Sequence, residues 1–176
     1  MSHADADDAL WLLDVDATVP PPQMPPSATA WRSLDGTLLR CYVRAAAAPT
    51  AAWTRLEPLQ SIAGASSGTP FIHHYVVEAD VAPEHERDFN AWYEQEHLAG
   101  LAAVPGTVRA MRYRRTQDAP ADGRGHRAPR YLACYDLTSP QVLEHPQWLA
   151  VRHTAWSARV RPLFLNPRRT MFTRAT

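Results

Sequence analysis

The chain has 176 residues, enough for one ordinary domain or two small ones, and 45% of them are apolar, which supports a buried core. Eighteen basic residues balance eighteen acidic ones, so no global field draws the protein to nucleic acid or to an anionic membrane. All the basic residues are arginine, which excludes chemistry on a lysine amine.

Charge is uneven along the chain. Residues 1–70 carry four arginines and seven acids; residues 71–176 carry fourteen and eleven. Cys41 and Cys134 lie far apart in strand-like runs and read as buried thiols of a reducing compartment. No run approaches the roughly 20 apolar residues of a membrane span. The first residues, Ser2 to Asp8, are acidic where a signal peptide would be basic, so the expected location is cytoplasmic.

In chain order, residues 9–17 predict a strand, and the prolines from Pro20 to Pro26 a loop, because proline fixes φ and lacks an amide donor. Residues 36–45 predict a second strand, and 53–62 a third with Pro58 favouring an edge. Residues 64–70, with two glycines, two serines and Pro70, form the strongest breaker. That breaker sets the expected organisation: an N-terminal half, residues 1–69, and a second part, residues 70–176.

The second part is more regular. Residues 71–81 predict a strand, with His73, Tyr75 and Val77 on one face and His74, Val76 and Glu78 on the other. Pro83, Glu84 and Glu86 suit a helix start, and Phe89, Trp92 and Tyr93 supply its buried stripe before Pro105 and Gly106 stop it. Strands follow at 108–115 and 131–137, separated by a polar loop at 117–129. Ser139 and Pro140 then open a helical region interrupted at Pro146, and residues 169–174 close with a strand.

The order strand, helix, strand, strand, helix, strand predicts an α+β fold: a ferredoxin-like split βαβ unit with an antiparallel sheet. Its helices cover one face, so a second layer must cover the other. A partner subunit or an internal repeat would serve, and residues 1–69 read as a degenerate copy of the unit.

The segment Phe89-Asn90-Ala91-Trp92-Tyr93, Glu96-His97-Leu98, Val104-Pro105-Gly106 and Arg112-Tyr113 resembles the signature of EthD-like proteins. Pro129 to Leu137 resembles that family's third strand, and Ser139 to Leu143 its second helix. The resemblance covers most of residues 71–176 and none of 1–70. It implies a dimeric α/β-barrel, a homodimer, and either chemistry without a cofactor on a small metabolite or no catalysis at all. Two positions depart from the pattern: Ala99-Gly100 replaces an early proline after the His-Leu pair, and Thr107 replaces an apolar residue.

His97 is the lead candidate for acid/base work, with Glu94 one turn before it and Tyr93 on the same flank. Arg112 or Arg109 would stabilise an enolate or carboxylate beside it. His73, Tyr75 and Tyr113 are candidates to line the pocket. This set suits isomerisation, cyclisation or decarboxylation of a small aromatic or lactone-like molecule. The structural alternative has His97 bonded to a backbone carbonyl at the end of the helix, in a ligand-binding or purely structural barrel.

His73 and His74 point to opposite faces of a strand and cannot readily share a metal ion, so no metal site is expected. Arg124, His126 and Arg127 lie in the polar loop, which reads as a lid or a plain connection. Phosphate loops, zinc spacings and Gly-x-Ser-x-Gly are absent, and neither nucleic acid nor membrane is an expected partner.

Overall fold

The computed structural model describes residues 9–116 and 127–175. The acidic N-terminal residues and, in the polar loop, Arg124 and His126 lie outside that set. The chain divides into two units. One comprises residues 1–57, 114–128 and 172–176; the other comprises residues 58–113 and 129–171.

The first unit holds β1 (Ala9–Asp16), β2 (Thr29–Ser33) and β3 (Leu38–Ala45), all antiparallel in the order β1-β3-β2. The start of β4 (Thr54–Ala63) pairs with β1, and the end of β8 (Leu165–Arg174) pairs with β2. Apolar residues on one face of these strands pack Trp11, Leu13, Leu39, Cys41, Val43 and Trp53 together. Arg40 is buried and makes a two-pronged pair with Asp14, both contacts at 2.7 Å. Strand β2 was not anticipated. It is five residues long and follows a proline-rich stretch, so it has little alternation to read.

The second unit follows the expected order. Strand β5 (His73–Asp80) leads through a 3-10 turn at Pro83–His85 into α1 (Glu86–Trp92). A π turn at Tyr93–His97 joins α1 to α2 (Leu98–Ala102). Strands β6 (Thr107–Arg115) and β7 (Tyr131–Leu137) follow, then α3 (Pro146–Arg152), α4 (Ala155–Val160) and β8. Its strands are ordered β8-β5-β7-β6-β4. The first and second strands of the split motif, β5 and β6, are separated by the third, β7, which is the ferredoxin-like arrangement. Strands β5 and β7 are antiparallel in a register that sets Tyr75 opposite Tyr135 and His74 opposite Asp136.

Strand alternation then divides the side chains. Tyr75, Val77, Ala110, Tyr131, Ala133 and Tyr135 join the core beneath the helices with Phe89, Trp92 and Trp148. His74, Val76, Glu78, Leu132, Cys134 and Asp136 alternate with them and are also buried.

The local departures have physical reasons. Pro146 starts α3 rather than interrupting a longer helix, because His145 is its N-cap and its ring accepts from the Gln147 amide at 3.2 Å. Residues 140–144 form a 3-10 turn, capped by Ser139 accepting from the Gln141 amide. Gly100 does not loosen the helix. It lets α2 approach Val151 of α3, where an added Cβ would sit 3.0 Å from both valine methyls. Thr107 is fully buried, and its hydroxyl donates to the Leu101 carbonyl at 2.9 Å, satisfying the end of α2.

Candidate functional site

The π turn organises the site. The Leu98 amide donates to the Tyr93 carbonyl, a five-residue span that widens one turn of an otherwise continuous helix from residue 86 to 102. Such turns occur often at functional sites. Here the turn brings three rings together. Trp92 lies 4.6 Å from Tyr93 and 4.0 Å from His97, and Tyr93 lies 5.5 Å edge-on to His97.

These rings form one wall of a cleft in the second unit. Tyr75 and Val77 of β5 and Tyr135 of β7 form its floor, and Leu101 extends the helical wall. Trp148 and Arg152 of α3, Arg161 and Phe164 after α4, and Arg169 of β8 complete it. The cleft holds about 380 Å³ of atom-free space, part of it continuous with solvent, and about 30 Å³ of it admits the centre of a water molecule. That is room for about two waters, so a ligand of any size must displace side chains.

His97 is 6% exposed, and its Nδ1 is buried with no hydrogen-bond partner. It does not bond a backbone carbonyl, as the structural alternative required. Burial first, then the positive charges of Arg161, Arg152 and Arg112, push its pKa down to about 3. The imidazole is therefore a neutral base at ordinary pH. Burial raises the pKa of Tyr75, takes Tyr93 to about 12 and pushes Tyr135 well above its usual value, so all three are neutral donors.

Of the residues singled out in the sequence, His97, Tyr75 and Tyr93 meet at the cleft. Arg112 does not line it. Its guanidinium sits behind Tyr93, 4.2 Å from the ring centroid, and donates to Asn90 Oδ1 at 2.8 Å. Glu94 is exposed on the far side of the π turn and makes no hydrogen bond to His97 among the described residues; its carbonyl accepts from Gln60 at 3.4 Å. Arg109 belongs to the opposite face of the sheet, where it and His74 share Asp136 at 2.8 Å each. Tyr113 donates to Met111 Sδ at 3.4 Å, away from the cleft. His73 is half-buried opposite Leu137, with its Nδ1 unpartnered, and does not line the cleft.

Among the described residues no cluster of three or more His, Cys, Asp or Glu could hold a metal ion, and no helix is long and apolar enough to cross a membrane.

Arg152, Arg161, Arg169 and Trp148 were not anticipated. A signal exists in the sequence, since after Glu144 the chain has six arginines and no acidic residue. It does not show which of the six converge.

No family model and no curated protein matches the sequence. Solved structures do match the fold. An anthrone oxidase-like protein is 13% identical, with a TM-score of 0.62 over 98% of this chain and 93% of its own. A heme-degrading enzyme from Listeria monocytogenes is 9% identical, with a TM-score of 0.58 over 93% and 97%. An uncharacterized ferredoxin fold protein related to antibiotic biosynthesis monooxygenases, from Listeria monocytogenes 4b F2365, is 9% identical, with a TM-score of 0.56 over 96% of each chain. At these identities the likeness concerns fold alone. The chain is an α+β protein with a ferredoxin-like fold, which it shares with these solved structures.

Proposed function

We propose that this chain is an EthD-like α/β-barrel protein acting without a cofactor on a small aromatic or lactone-like metabolite, with His97 as its proton acceptor. The observation that carries this reading is a nearly buried, neutral imidazole with an unpartnered Nδ1 on a cleft walled by aromatic rings and arginines. His97 would take a proton from a carbon next to a carbonyl, becoming imidazolium and leaving an enolate. This requires a bound anion that offsets the arginine charges, which together with burial hold the free imidazole's pKa at about 3. The cations around the cleft offset the negative charge of that enolate. Returning the proton to another position completes an isomerisation or a cyclisation, and loss of carbon dioxide to the enolate runs the same charge pattern in the other order.

The names of two structural neighbours, anthrone oxidase-like and heme-degrading, are in keeping with a fold that houses small-molecule chemistry. Arg112 fits the role of a positioning residue that fixes Tyr93, rather than one touching substrate. A homodimer in the cytoplasm, with residues 1–69 as a degenerate copy of the second half, belongs to the same reading.

Deuterium exchange tests it. The protein is incubated in D2O with a panel of aromatic ketones, phenols and unsaturated lactones, and carbon-bound exchange is followed by NMR. Exchange that vanishes in a folded His97→Gln variant is the expected result. Exchange at equal rates in both proteins, or none with any compound, overturns the reading. The second reading, a ligand-binding barrel without turnover, is favoured by the stacking of His97 on Trp92 and by the narrow cleft. It gains if compounds bind without exchange.

A further inference from the structure

We propose that the cleft is built for an anion, a small aromatic carboxylate whose carboxylate group sits among Arg152, Arg161 and Arg169 while its ring packs against Tyr75 and Trp148. The proposal rests on the reading of this cleft as a small-molecule site and specifies the ligand class.

Three arginines reach the cleft from three separate segments: the end of α3, the turn after α4, and β8. None of the three has a carboxylate partner among the described residues. Other arginines of the same unit do: Arg109 pairs with Asp136, Arg130 with Glu86 and Arg159 with Asp88. Three cations converging on one small space repel one another; burial first, then the charges of Arg152 and Arg169, lowers the proton affinity of Arg161. Such a cluster is stable only at a cost unless an anion neutralises it.

One of the three arginines is fixed in place. The guanidinium of Arg161 donates to the Arg152 main-chain carbonyl at 3.1 Å, the negative end of α3, which holds it in place. The planar fork of a guanidinium matches a carboxylate through two parallel hydrogen bonds. The aromatic walls set the rest of the ligand. Trp148 stands edge-on to Tyr75 at 6.2 Å and to Tyr135 at 5.2 Å, so a flat apolar group that displaces part of this wall meets aromatic faces and edges. The His97 ring lines the same space, so a bound carboxylate brings its neighbouring atoms to the imidazole.

The test measures binding, by tryptophan fluorescence and calorimetry, of benzoate, cinnamate and 1-naphthoate against their uncharged primary amides. The carboxylates should bind about tenfold or more tightly than the amides, and the difference should shrink as salt rises. Arg161→Met and Arg169→Met should each remove most of that preference while amide binding stays as it was. His97→Gln, which abolishes exchange in the reaction proposed above, should keep the preference, so failure of the chemistry and failure of the anion site are separable. Equal binding of carboxylate and amide by the wild-type protein overturns the proposal. So does no carboxylate binding below about 10 mM. Inorganic phosphate binding as tightly as the aromatic carboxylates overturns the aromatic half of it.

Discussion

The imidazole of His97 lies almost flat on the indole of Trp92, with ring centroids 4.0 Å apart and planes 23° apart. The indole is itself anchored. Its Nε1 donates to the Ser157 hydroxyl at 3.2 Å, and that hydroxyl donates to the Val151 carbonyl at 2.8 Å. His97 is thus tied through one ring and one hydroxyl to the junction between α3 and α4. Thr154, the N-cap of α4, adds a second tie by donating to Glu96 at 2.5 Å. Ser157→Ala should therefore do two things. Leaving a buried indole N–H and a carbonyl unsatisfied costs roughly 1–3 kcal/mol, read from urea unfolding. Ligand affinity at the cleft should fall by more than in a variant of equal instability placed elsewhere, such as one in the first unit.

The protonation of His97 makes a separate prediction about acid stability. Its folded pKa of about 3 lies below the unfolded value near 6.5. Between those values the unfolded chain binds a proton that the folded one does not, so stability rises with pH through this window. The contribution is fully present above about pH 6.5 and is lost as pH falls towards 3. Its size is on the order of 4–5 kcal/mol at the acid end. Burial keeps the ring neutral first, and then the positive charges of Arg161 from beyond α4, Arg152 from α3 and Arg112 from β6. Urea midpoints measured from pH 7.5 to 4.5 should drop less steeply in His97→Gln than in the wild type. Parallel slopes would show that His97 does not set this dependence.

Much of this was readable before the structure. Residues 131–137 are a strand because Tyr131, Ala133 and Tyr135 alternate with Leu132, Cys134 and Asp136, and the strand occupies those positions. The helix with Phe89, Trp92 and Tyr93 was readable from its apolar spacing, and Pro105-Gly106 from the chemistry of a helix stop. The π turn was not, because Tyr93 and His97 stand four apart, a spacing that an ordinary helical turn also buries. Nor was the arginine cluster. Arg152, Arg161 and Arg169 are separated by two turns of chain and share no local pattern, so only the folded topology brings them to one cleft. The pairing of Glu94 with His97 failed for a related reason. The wide turn buries one and leaves the other in solvent.

Arg112 offers a contrast between a buried charge that serves packing and one that serves chemistry. It is 1% exposed, bonds Asn90 through one nitrogen, leaves Nη1 without a partner, and lies over the rings of Tyr93, Phe89 and Tyr131 at 4.2, 5.4 and 5.8 Å. Burial lowers its proton affinity. Arg112→Ala should cost about 3 kcal/mol, from lost volume and lost contact between cation and rings. Arg112→Met keeps most of the volume and removes an incompletely compensated charge, so it should lie within about 1 kcal/mol of the wild type. If the residue only positions Tyr93, Arg112→Met retains ligand affinity in the calorimetric assay. A large loss of affinity with stability intact would instead give Arg112 a direct part at the cleft.

Gly106 closes the turn that returns the chain from α2 to β6, and two independent constraints act on it. Its φ is +92°, in the region that side chains with a Cβ disfavour, and an added Cβ would lie 2.4 Å from Val142 Cγ2 in the 3-10 turn after Ser139. The first constraint is local and costs about 1–2 kcal/mol. The second is steric, and the valine side chain must move or the turn must open. Gly106→Ala should therefore destabilise by roughly 3–4 kcal/mol, more than the dihedral alone demands. Val142→Ala separates the two constraints, because it removes the clashing methyl and leaves the backbone unchanged. In that background the further cost of Gly106→Ala should fall to about 1–2 kcal/mol, giving a coupling of similar size in a double-mutant cycle. Additive effects would mean that the strain of the left-handed backbone, and not the approach of Val142, is what reserves this position for glycine.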